Sequence, residues 1–252
     1  MPHVDLNADL GESFGHYRLP DEALLDLLTS ANIACGYHAG DPLVMRRVVT
    51  AAAVRGVAIG AHPGYPDLQG FGRRELAASP EEIEAFVLYQ LGALAGFCSA
   101  AGTRVRYLKP HGALYHRAAK DPAAAEAIAR AIHAFNPTLP LLGLPETELP
   151  SAAARIGIPS AAEAFVDRGY LPDGTLVPRG QPGAMVEDPV VCADRAARMV
   201  LDGVVETVDG SIIPISPDSL CVHGDGPAAD RILRQVRKRL MASGVDLAPF
   251  TA

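Results

Sequence analysis

Short apolar segments alternate with longer amphipathic segments along the whole chain. The short segments have the length and composition of buried strands and span residues 3–8, 31–35, 57–61, 105–108, 140–144, 161–166 and 219–222. The clearest amphipathic segment spans residues 81–101, where Ile83, Val87, Leu91 and Leu94 recur at helical spacing. Strand followed by helix, repeated about seven times, predicts an α/β protein with a parallel sheet.

Capping residues followed by proline mark where several helices begin. Ser79-Pro80-Glu81-Glu82 combines an N-cap, a first-turn proline and the acid of a capping box. Asp41, Asp121 and Asp188 each precede a proline in the same way. These starts predict helices over 42–55, 122–134 and 189–201.

Seven strand–helix units in one chain of 252 residues favour a closed (β/α) barrel. An open doubly wound sheet is the alternative, although no G-x-G-x-x-G follows the first strand as its dinucleotide-binding form requires. Apolar segments at 204–207 and 211–215 flank Asp209-Gly210 and predict an added β-hairpin over 204–215. No low-complexity linker or charge block divides the chain, so we expect one domain over residues 1–252.

Composition narrows the class of protein. A formal net charge of -7 argues against nucleic-acid binding, and 49% hydrophobic residues argue against a disordered chain. No apolar stretch approaches the roughly 20 residues that cross a bilayer, and the N-terminus carries acids where a signal peptide is basic. We therefore expect a cytoplasmic protein that binds no membrane. The four cysteines are scattered, which indicates buried apolar residues rather than disulfides or C-x-x-C sites.

Polar side chains with catalytic or ligand chemistry cluster where the predicted strands end. They are Asn7, Asp9 and Glu12; His38; His62 and Tyr65; Lys109 and His111; Glu163, Asp167 and Arg168; and His223 and Asp225. The carboxyl ends of parallel barrel strands meet on one face, where barrel enzymes build their active sites. Four of the eight histidines belong to this set. It predicts an active site, while a polar rim that only satisfies loop backbone is the alternative.

Lys109 is one of three lysines beside nineteen arginines. A buried lysine either loses its proton and acts as a base or stays charged and stabilises an anion; pairing with a barrel carboxylate is the structural alternative. The glycine-rich loop that ends at Arg73 and Arg74 is expected to cover the site, and its arginines to bind an anionic substrate. A solvated loop is the alternative there.

Metal binding and serine chemistry are two further hypotheses. Asp9, His38, His62 and His111 offer ligands that zinc or manganese takes, and the residues alone leave open whether they hold a metal or carry protons. Gly11-Glu-Ser13-Phe-Gly15 matches G-x-S-x-G, but no clear helix follows at once, which argues against a serine nucleophile. No phosphate-binding G-x-x-x-x-G-K-[ST] is present.

Six segments together resemble the LamB/YcsF family and span nearly the whole chain. They are VDLNADLGESFG at 4–15, ANIACGYHAGDP at 31–42, GAHPGYPDLQGFGRR at 60–74, LKPHGALYH at 108–116, EAFVDRGYLPDGTLVPR at 163–179 and CVHGDGP at 221–227. Ala8 and Gly64 depart from the family pattern, which often has Cys and Ser there. The departure at Ala8 argues against a catalytic thiol at that position.

The resemblance implies a seven-stranded barrel of the glycoside hydrolase/deacetylase type. It also implies the ATP-dependent opening of 5-oxoproline (pyroglutamate) to glutamate, together with 5-oxoprolinase subunits B and C. Because no phosphate-binding loop is visible, we expect the partners to share the handling of Mg-ATP. A metal-dependent sugar deacetylase and a non-catalytic scaffold that completes a site in its partners are the competing hypotheses.

The hypothesis assigns each site residue a role. The catalytic set is Asp9, Glu12, His38, His62, Lys109, His111 and His223. Asp9, Glu12, His62 and His111 would activate water, while Lys109 and a histidine would stabilise the oxyanion. The set that binds substrate is Asn7, Tyr65, Arg73, Arg74, Glu163, Asp167, Arg168 and Asp225, with Arg73 or Arg74 as a bidentate clamp on a carboxylate.

Overall fold

Seven parallel strands close into a barrel in the computed structural model, which describes residues 2–19, 21–224, 226 and 228–251. The strands of the described chain are β1 (His3–Leu10), β2 (Ser30–Ala34), β3 (Ala58–His62), β4 (Val105–Leu108), β5 (Leu141–Gly143), β6 (Ser160–Phe165), β7 (Val204–Glu206), β8 (Ile212–Pro214), β9 (Ser219–Cys221) and β10 (Asp246–Leu247). Strands β1 to β6 pair in order, and β9 closes the barrel by pairing with both β6 and β1. The closed barrel is confirmed over the open sheet.

Helices cover the outside of the barrel. They are α1 (Asp21–Leu25), α2 (Pro42–Arg55), α3 (Pro80–Ala100), α4 (Gly112–Ala118), α5 (Pro122–Phe135), α6 (Glu148–Ile156), α7 (Pro189–Leu201) and α8 (Ala229–Ala242). The predicted starts are confirmed: the Asp41 side chain accepts from two backbone amides of α2, and Ser79 and Glu82 form the capping box of α3. The strands β7 and β8 pair antiparallel where the hairpin is predicted.

Helix α3 corrects one expectation from the sequence. It is long and apolar enough to cross a bilayer by length and composition, whereas the sequence pattern predicts no segment of that kind. Here its buried residues Ile83, Val87 and Leu91 belong to the core, and the helix packs on α5. This packing gives the apolar face a partner within the chain.

The interior of the barrel is polar, and β1 shows why. Along this strand Asp5, Asn7 and Asp9 alternate with apolar residues, and residues 4–10 are all buried. Successive side chains of a strand point to opposite faces, so the polar set shares one face. Asn7 donates to Ser219 Oγ on β9 across 2.6 Å, which places that face inside the barrel. Each buried polar group therefore needs a partner on another strand.

A hydrogen-bond network supplies those partners in the middle of the barrel. Asn32 donates to Asn7 Oδ1 at 2.7 Å and to Asp9 Oδ1 at 2.8 Å, and Tyr107 donates to Asn32 Oδ1 at 2.6 Å. The Tyr107 ring fits because residue 60 has no side chain. A Cβ on Gly60 would lie 2.2 Å from the ring.

Replacing Gly60 with Ala should destabilise the fold by about 3 kcal/mol, since the buried Tyr107 ring cannot move without losing its bond to Asn32. The matched control is Gly96→Ala on α3, where nothing lies within 4 Å of the added Cβ. That change should be neutral or stabilise by up to about 1 kcal/mol. Urea unfolding of both variants measures the difference. Equal stabilities of the two would contradict this packing.

Asp5 provides a second test of the polar interior. Burial raises the pKa of Asp5 to about 6, although hydrogen bonds from Ser219, Ser30 and Thr29 lower it. The folded protein therefore binds the proton more tightly than the unfolded chain, and stability falls as pH rises through about 4 to 6.

Relative to an Asp5→Asn variant, the wild-type chain should lose about 3 kcal/mol of its free energy of unfolding between pH 4 and pH 7. Urea unfolding of both proteins at the two pH values measures this change. A difference between the proteins that does not vary with pH would show that Asp5 is not protonated in the barrel.

Candidate active site

A cavity of about 410 Å³ opens at the carboxyl ends of the strands. Its wall includes Asp9, His62, Lys109, His111 and His223. A larger cavity, of about 670 Å³, lies between the 182–186 segment and α7, but none of the predicted site residues that the structure describes lines it. The chemistry predicted from the sequence therefore points to the smaller cavity.

Lys109 is held between two carboxylates at the inner end of this cavity. Its Nζ lies 3.0 Å from Asp9 Oδ1 and 2.7 Å from Glu163 Oε1, and it donates to Cys221 Sγ at 3.1 Å. Burial opposes the charge, but Asp9 and Glu163 outweigh it and raise the pKa of Lys109 well above the ordinary lysine range. This raised pKa favours the charged ammonium at neutral pH, which suits stabilisation of an anion better than general-base catalysis.

Asp9 is the carboxylate that joins Lys109 to the histidines. Its Oδ2 lies 3.4 Å from His62 Nε2, while its Oδ1 faces Lys109. Burial alone would raise the pKa of Asp9. The nearby His62 and Lys109 lower it by more, so the pKa lies well below the usual value. A carboxylate of such low basicity orients neighbours better than it takes protons.

Glu163 completes the surroundings of Lys109. The Tyr115 hydroxyl donates to Glu163 Oε2 at 3.1 Å, and the Lys109 ammonium lies 5.1 Å from the centre of the Phe165 ring. Burial, and then the charge of Glu163, raises the pKa of Tyr115 well above its usual value, so this phenol remains a donor. Glu163 is fully buried and therefore acts on Lys109 from inside the barrel.

Asp167 and His223 form a dyad at the cavity wall. Both Asp167 oxygens lie 3.0 Å from His223 Nδ1, and the His223 backbone N donates to Asp167 Oδ2 at 2.9 Å. Burial raises the pKa of Asp167, but His223 lowers it by more, so the carboxylate is charged. A charged acceptor at Nδ1 keeps a proton there, which leaves Nε2 to exchange protons.

Three histidines and Glu12 form a second cluster beside the cavity. The His38 and His111 rings stack with centroids 3.7 Å apart, and His111 Nδ1 lies 2.9 Å from His62 Nε2. Glu12 Oε1 lies 3.4 Å from both His38 Nε2 and His111 Nδ1. Burial, followed by neighbouring histidines, lowers the pKa of His38 and of His111 well below the usual value.

This cluster could hold a metal ion, because one ligand atom from each of its residues lies within 4.8 Å of the others. The group differs from the one expected from sequence in a single member. Glu12 joins His38, His62 and His111, whereas Asp9 is engaged by Lys109. The order of strand ends alone does not show which of two neighbouring acids turns toward the histidines.

Several residues predicted to bind substrate have protein partners instead. Asn7 lies in the middle of the barrel and bonds Ser219 and Asn32. Tyr65 is fully buried, and its hydroxyl accepts from Arg117 at 3.4 Å. Neither is among the residues that line the cavity.

The predicted arginines divide between the cavity and its surroundings. Arg73 lines the cavity and covers the Phe71 ring at 4.9 Å, whereas Arg74 pairs with Asp67 on an exposed loop. Arg168 is buried in the wall, where its guanidinium donates to the carbonyls of Ala184 and Val177. A role for Arg168 in holding the 169–184 segment follows directly from these bonds. Asp225 lies outside the described residues.

Other residues of the site were missed. Asn32, Tyr107 and Tyr115 hold the charged groups in place, and the alternation of polar and apolar residues in β1 is the signal that could have indicated a polar interior. His116, which the sequence patterns do not assign to the site, is exposed and lines the cavity with Lys120 and Arg179. Helix α4 carries His116 to the cavity rim.

Ser13 and the four cysteines have buried surroundings. Ser13 is buried, and its hydroxyl accepts from the backbone N of Leu19 at 2.8 Å, which is a structural role. All four cysteines are buried and free, as expected.

Known proteins are similar to this chain over nearly its full length. The A-type subunit of 5-oxoprolinase from Methylococcus capsulatus is 55% identical over 246 residues, covering 97% of this chain and 95% of that protein. The protein of the same name from Bacillus subtilis is 50% identical over 252 residues, covering 100% of this chain and 98% of that protein.

Solved structures match as well. The crystal structure of the lactam utilization protein from Thermus thermophilus has a TM-score of 0.93 and 48% identity, covering 98% of this chain and 99% of that one. The family 4 carbohydrate esterase from Streptomyces lividans has a TM-score of 0.50 at 12% identity, covering 98% of this chain and 91% of that one, which shows the barrel fold alone. The LamB/YcsF family model matches residues 4–252, and the chain belongs to the LamB/YcsF family.

Proposed function

We propose that the chain is the A-type subunit of a 5-oxoprolinase, a hydrolase that opens the lactam of 5-oxoproline to L-glutamate with hydrolysis of ATP. The observation that carries this proposal is the identity of 55% and 50% with relatives of that name over 95% and 98% of their length. The cavity chemistry supports the same reaction. The likeness to carbohydrate esterases is one of fold, so the relatives favour lactam hydrolysis over the deacetylase alternative.

The reaction must activate a resonance-stabilised amide. Transfer of the γ-phosphoryl group of ATP to the lactam oxygen releases ADP and makes the ring carbon electrophilic. Water then adds to that carbon, and the ring C–N bond breaks as the nitrogen takes up a proton, leaving an acyl phosphate. A second water converts the acyl phosphate to glutamate and phosphate. The ring nitrogen must be protonated before phosphate leaves, since early loss of phosphate would regenerate the lactam.

Lys109 suits the stabilisation of negative charge on the intermediate. Asp9 and Glu163 hold its ammonium at 3.0 and 2.7 Å, so the charge is in place before the reaction. The third N–H donates to Cys221 Sγ, a weak acceptor, and is the donor that an oxyanion would take over. A preorganised donor of this kind needs no solvent reorganisation as charge develops. The Asp167–His223 dyad suits proton transfer, because His223 Nε2 can take a proton from the attacking water and pass it to the departing ring nitrogen.

The charge of the cavity suits an anionic substrate. Five cationic side chains line it, and Asp9 is the one carboxylate among the described lining residues; the cations are Arg73, Lys109, Lys120, Arg168 and Arg179. Both the carboxylate of 5-oxoproline and a phosphoryl group on its lactam oxygen would be attracted there. We assign Arg73 to the substrate carboxylate because it lines the cavity, whereas Arg74 pairs with Asp67 and is not among the described lining residues.

Nucleotide handling is shared with other subunits in this proposal. The chain has no G-x-x-x-x-G-K-[ST] segment, which supports binding of Mg-ATP partly or wholly by subunits B and C. Four free buried cysteines and the use of ATP support a cytoplasmic location.

Removing the Lys109 ammonium should slow turnover strongly, while removing an exposed lysine elsewhere should not. The Lys109→Met variant, combined with subunits B and C, should form glutamate from 5-oxoproline and ATP about 10²–10³-fold more slowly, as expected for a lost oxyanion donor. Lys238→Met, an exposed lysine on α8, is the matched control and should keep full activity. Glutamate and ADP are both measured, and circular dichroism verifies folding.

Because the Lys109→Met variant leaves Asp9 and Glu163 without their cation, Lys109→Arg is tested beside it. The Arg variant keeps the charge and the fold but displaces the donor, so it should also be slow. Wild-type rates in both variants would overturn the role of Lys109. Absence of glutamate formation by the wild-type complex, with deacetylation of an acetylated sugar instead, would overturn the proposed function.

A further inference from the structure

The cluster of Glu12, His38, His62 and His111 has fewer hydrogen-bond donors than acceptors. The four side chains come from the segments at the carboxyl ends of β1, β2, β3 and β4, and each is at most 4% exposed. Groups so well buried must satisfy their polar atoms within the protein.

The backbone fixes which nitrogen carries the proton in two of the rings. His62 Nδ1 lies 2.8 Å from the Lys109 carbonyl oxygen, and His111 Nε2 lies 2.8 Å from the Phe71 carbonyl oxygen. A carbonyl oxygen only accepts, so both of these nitrogens donate. In a neutral imidazole the other nitrogen then holds a lone pair. Those two lone pairs, on His62 Nε2 and His111 Nδ1, face each other at 2.9 Å.

Two lone pairs at that distance repel unless a positive charge lies between or beside them. A shared proton would satisfy His62 and His111, but it would leave His38 without a partner. His38 is fully buried, and neither of its ring nitrogens has a hydrogen-bond partner among the residues that the structure describes. Its Nε2 lies 3.4 Å from Glu12 Oε1, the same oxygen that lies 3.4 Å from His111 Nδ1. One cation in contact with all four groups would satisfy every one of them.

We propose that Glu12, His38, His62 and His111 bind one divalent transition-metal ion of the zinc type. Three imidazoles and one carboxylate are the donors such an ion prefers, whereas magnesium and calcium prefer oxygen alone. Metal–ligand bonds of about 2.0–2.1 Å place the ligand atoms of a tetrahedral site about 3.3–3.4 Å apart. The two Glu12–histidine distances of 3.4 Å already have this value.

The packing around the rings is consistent with a built site. A Cβ on Gly64 would lie 2.7 Å from His38 Nδ1, and a Cβ on Gly72 would lie 2.6 Å from His38 and 2.9 Å from His111. Glycine at both positions lets the backbone hold the two stacked rings closely. Two of the ligands, His62 and His111, also line the cavity, so the ion would polarise groups at its wall.

Metal binding is measured on the full chain without substrate. A chain that binds no metal would therefore contradict the metal site and not the proposed function. A chelator first removes any bound metal from the protein. Binding of Co²⁺ is then measured from its visible ligand-field absorption, and binding of Zn²⁺ is measured by calorimetry. We expect one equivalent of each ion, the absorption of a four-coordinate Co²⁺ site, and a raised melting temperature. Elemental analysis of protein purified without chelator gives the occupancy.

Variants separate this site from adventitious binding. Glu12→Gln and His38→Ala each remove one ligand and should weaken binding by more than about 100-fold, at least as much as the loss of an outer partner. His133→Ala, an exposed histidine on α5, is the matched control and should bind as the wild type does. Because Glu12→Gln is nearly isosteric, it should fold and still test the site if the His38→Ala variant does not fold.

Two results would overturn the proposal. One is a folded wild-type chain that binds no stoichiometric Co²⁺ or Zn²⁺, which would leave a shared proton as the cation between His62 and His111. The other is equal binding by Glu12→Gln and the wild type, which would indicate an adventitious ion only.

Discussion

The charged triad of Lys109, Asp9 and Glu163 is the interaction on which the rest of the site depends. The lysine ammonium lies within 3.0 Å of both carboxylates inside a barrel, where each charge alone would be strongly destabilising. Removing one partner from a buried ion pair typically costs about 3–5 kcal/mol, because the remaining charge is left without compensation. The polar interior holds this triad in place: Asn32 fixes Asp9, and Tyr107 fixes Asn32.

The triad also connects the two clusters that surround it. On one side Asp9 approaches His62, and the Lys109 carbonyl accepts from His62 Nδ1, so lysine and histidine are linked through both side chain and backbone. On the other side Phe165 contacts Lys109 and stacks on His223, the ring held by Asp167. His223, the Lys109 ammonium and the histidine cluster are thus linked to one another through the triad.

Sequence patterns predicted the barrel well, because its seven strands and capped helices are local features. The first strand is longer than its apolar run suggests, since Asp9 and Leu10 continue the ladder with Asn32 and Ile33. The strand-end rule also placed Lys109, His62, His111 and His223 in one cavity.

Partners of the site residues could not be predicted in the same way. Both acids approach histidines: Asp9, held in the β1 ladder, lies near His62, and Glu12, after the turn at Gly11 with its φ of 71°, lies near His38 and His111. Arg74 turns to Asp67 because both lie on the same loop, and no spacing rule ranks that contact above one with a substrate. The rim residues Lys120 and Arg179 come from the segments that follow α4 and β6, whose paths are set by tertiary packing.

The ionisation state of Lys109 is the most direct test of the buried triad. With only three lysines in the chain, protein labelled with ¹⁵N and ¹³C at lysine gives few side-chain signals, and the Lys109→Met variant assigns one of them. The Lys109 signal should keep the chemical shift of an ammonium as pH rises through about 10.4, the ordinary lysine value, while circular dichroism reports a folded chain. A Lys109 titration midpoint below that value in the folded protein would contradict the buried triad.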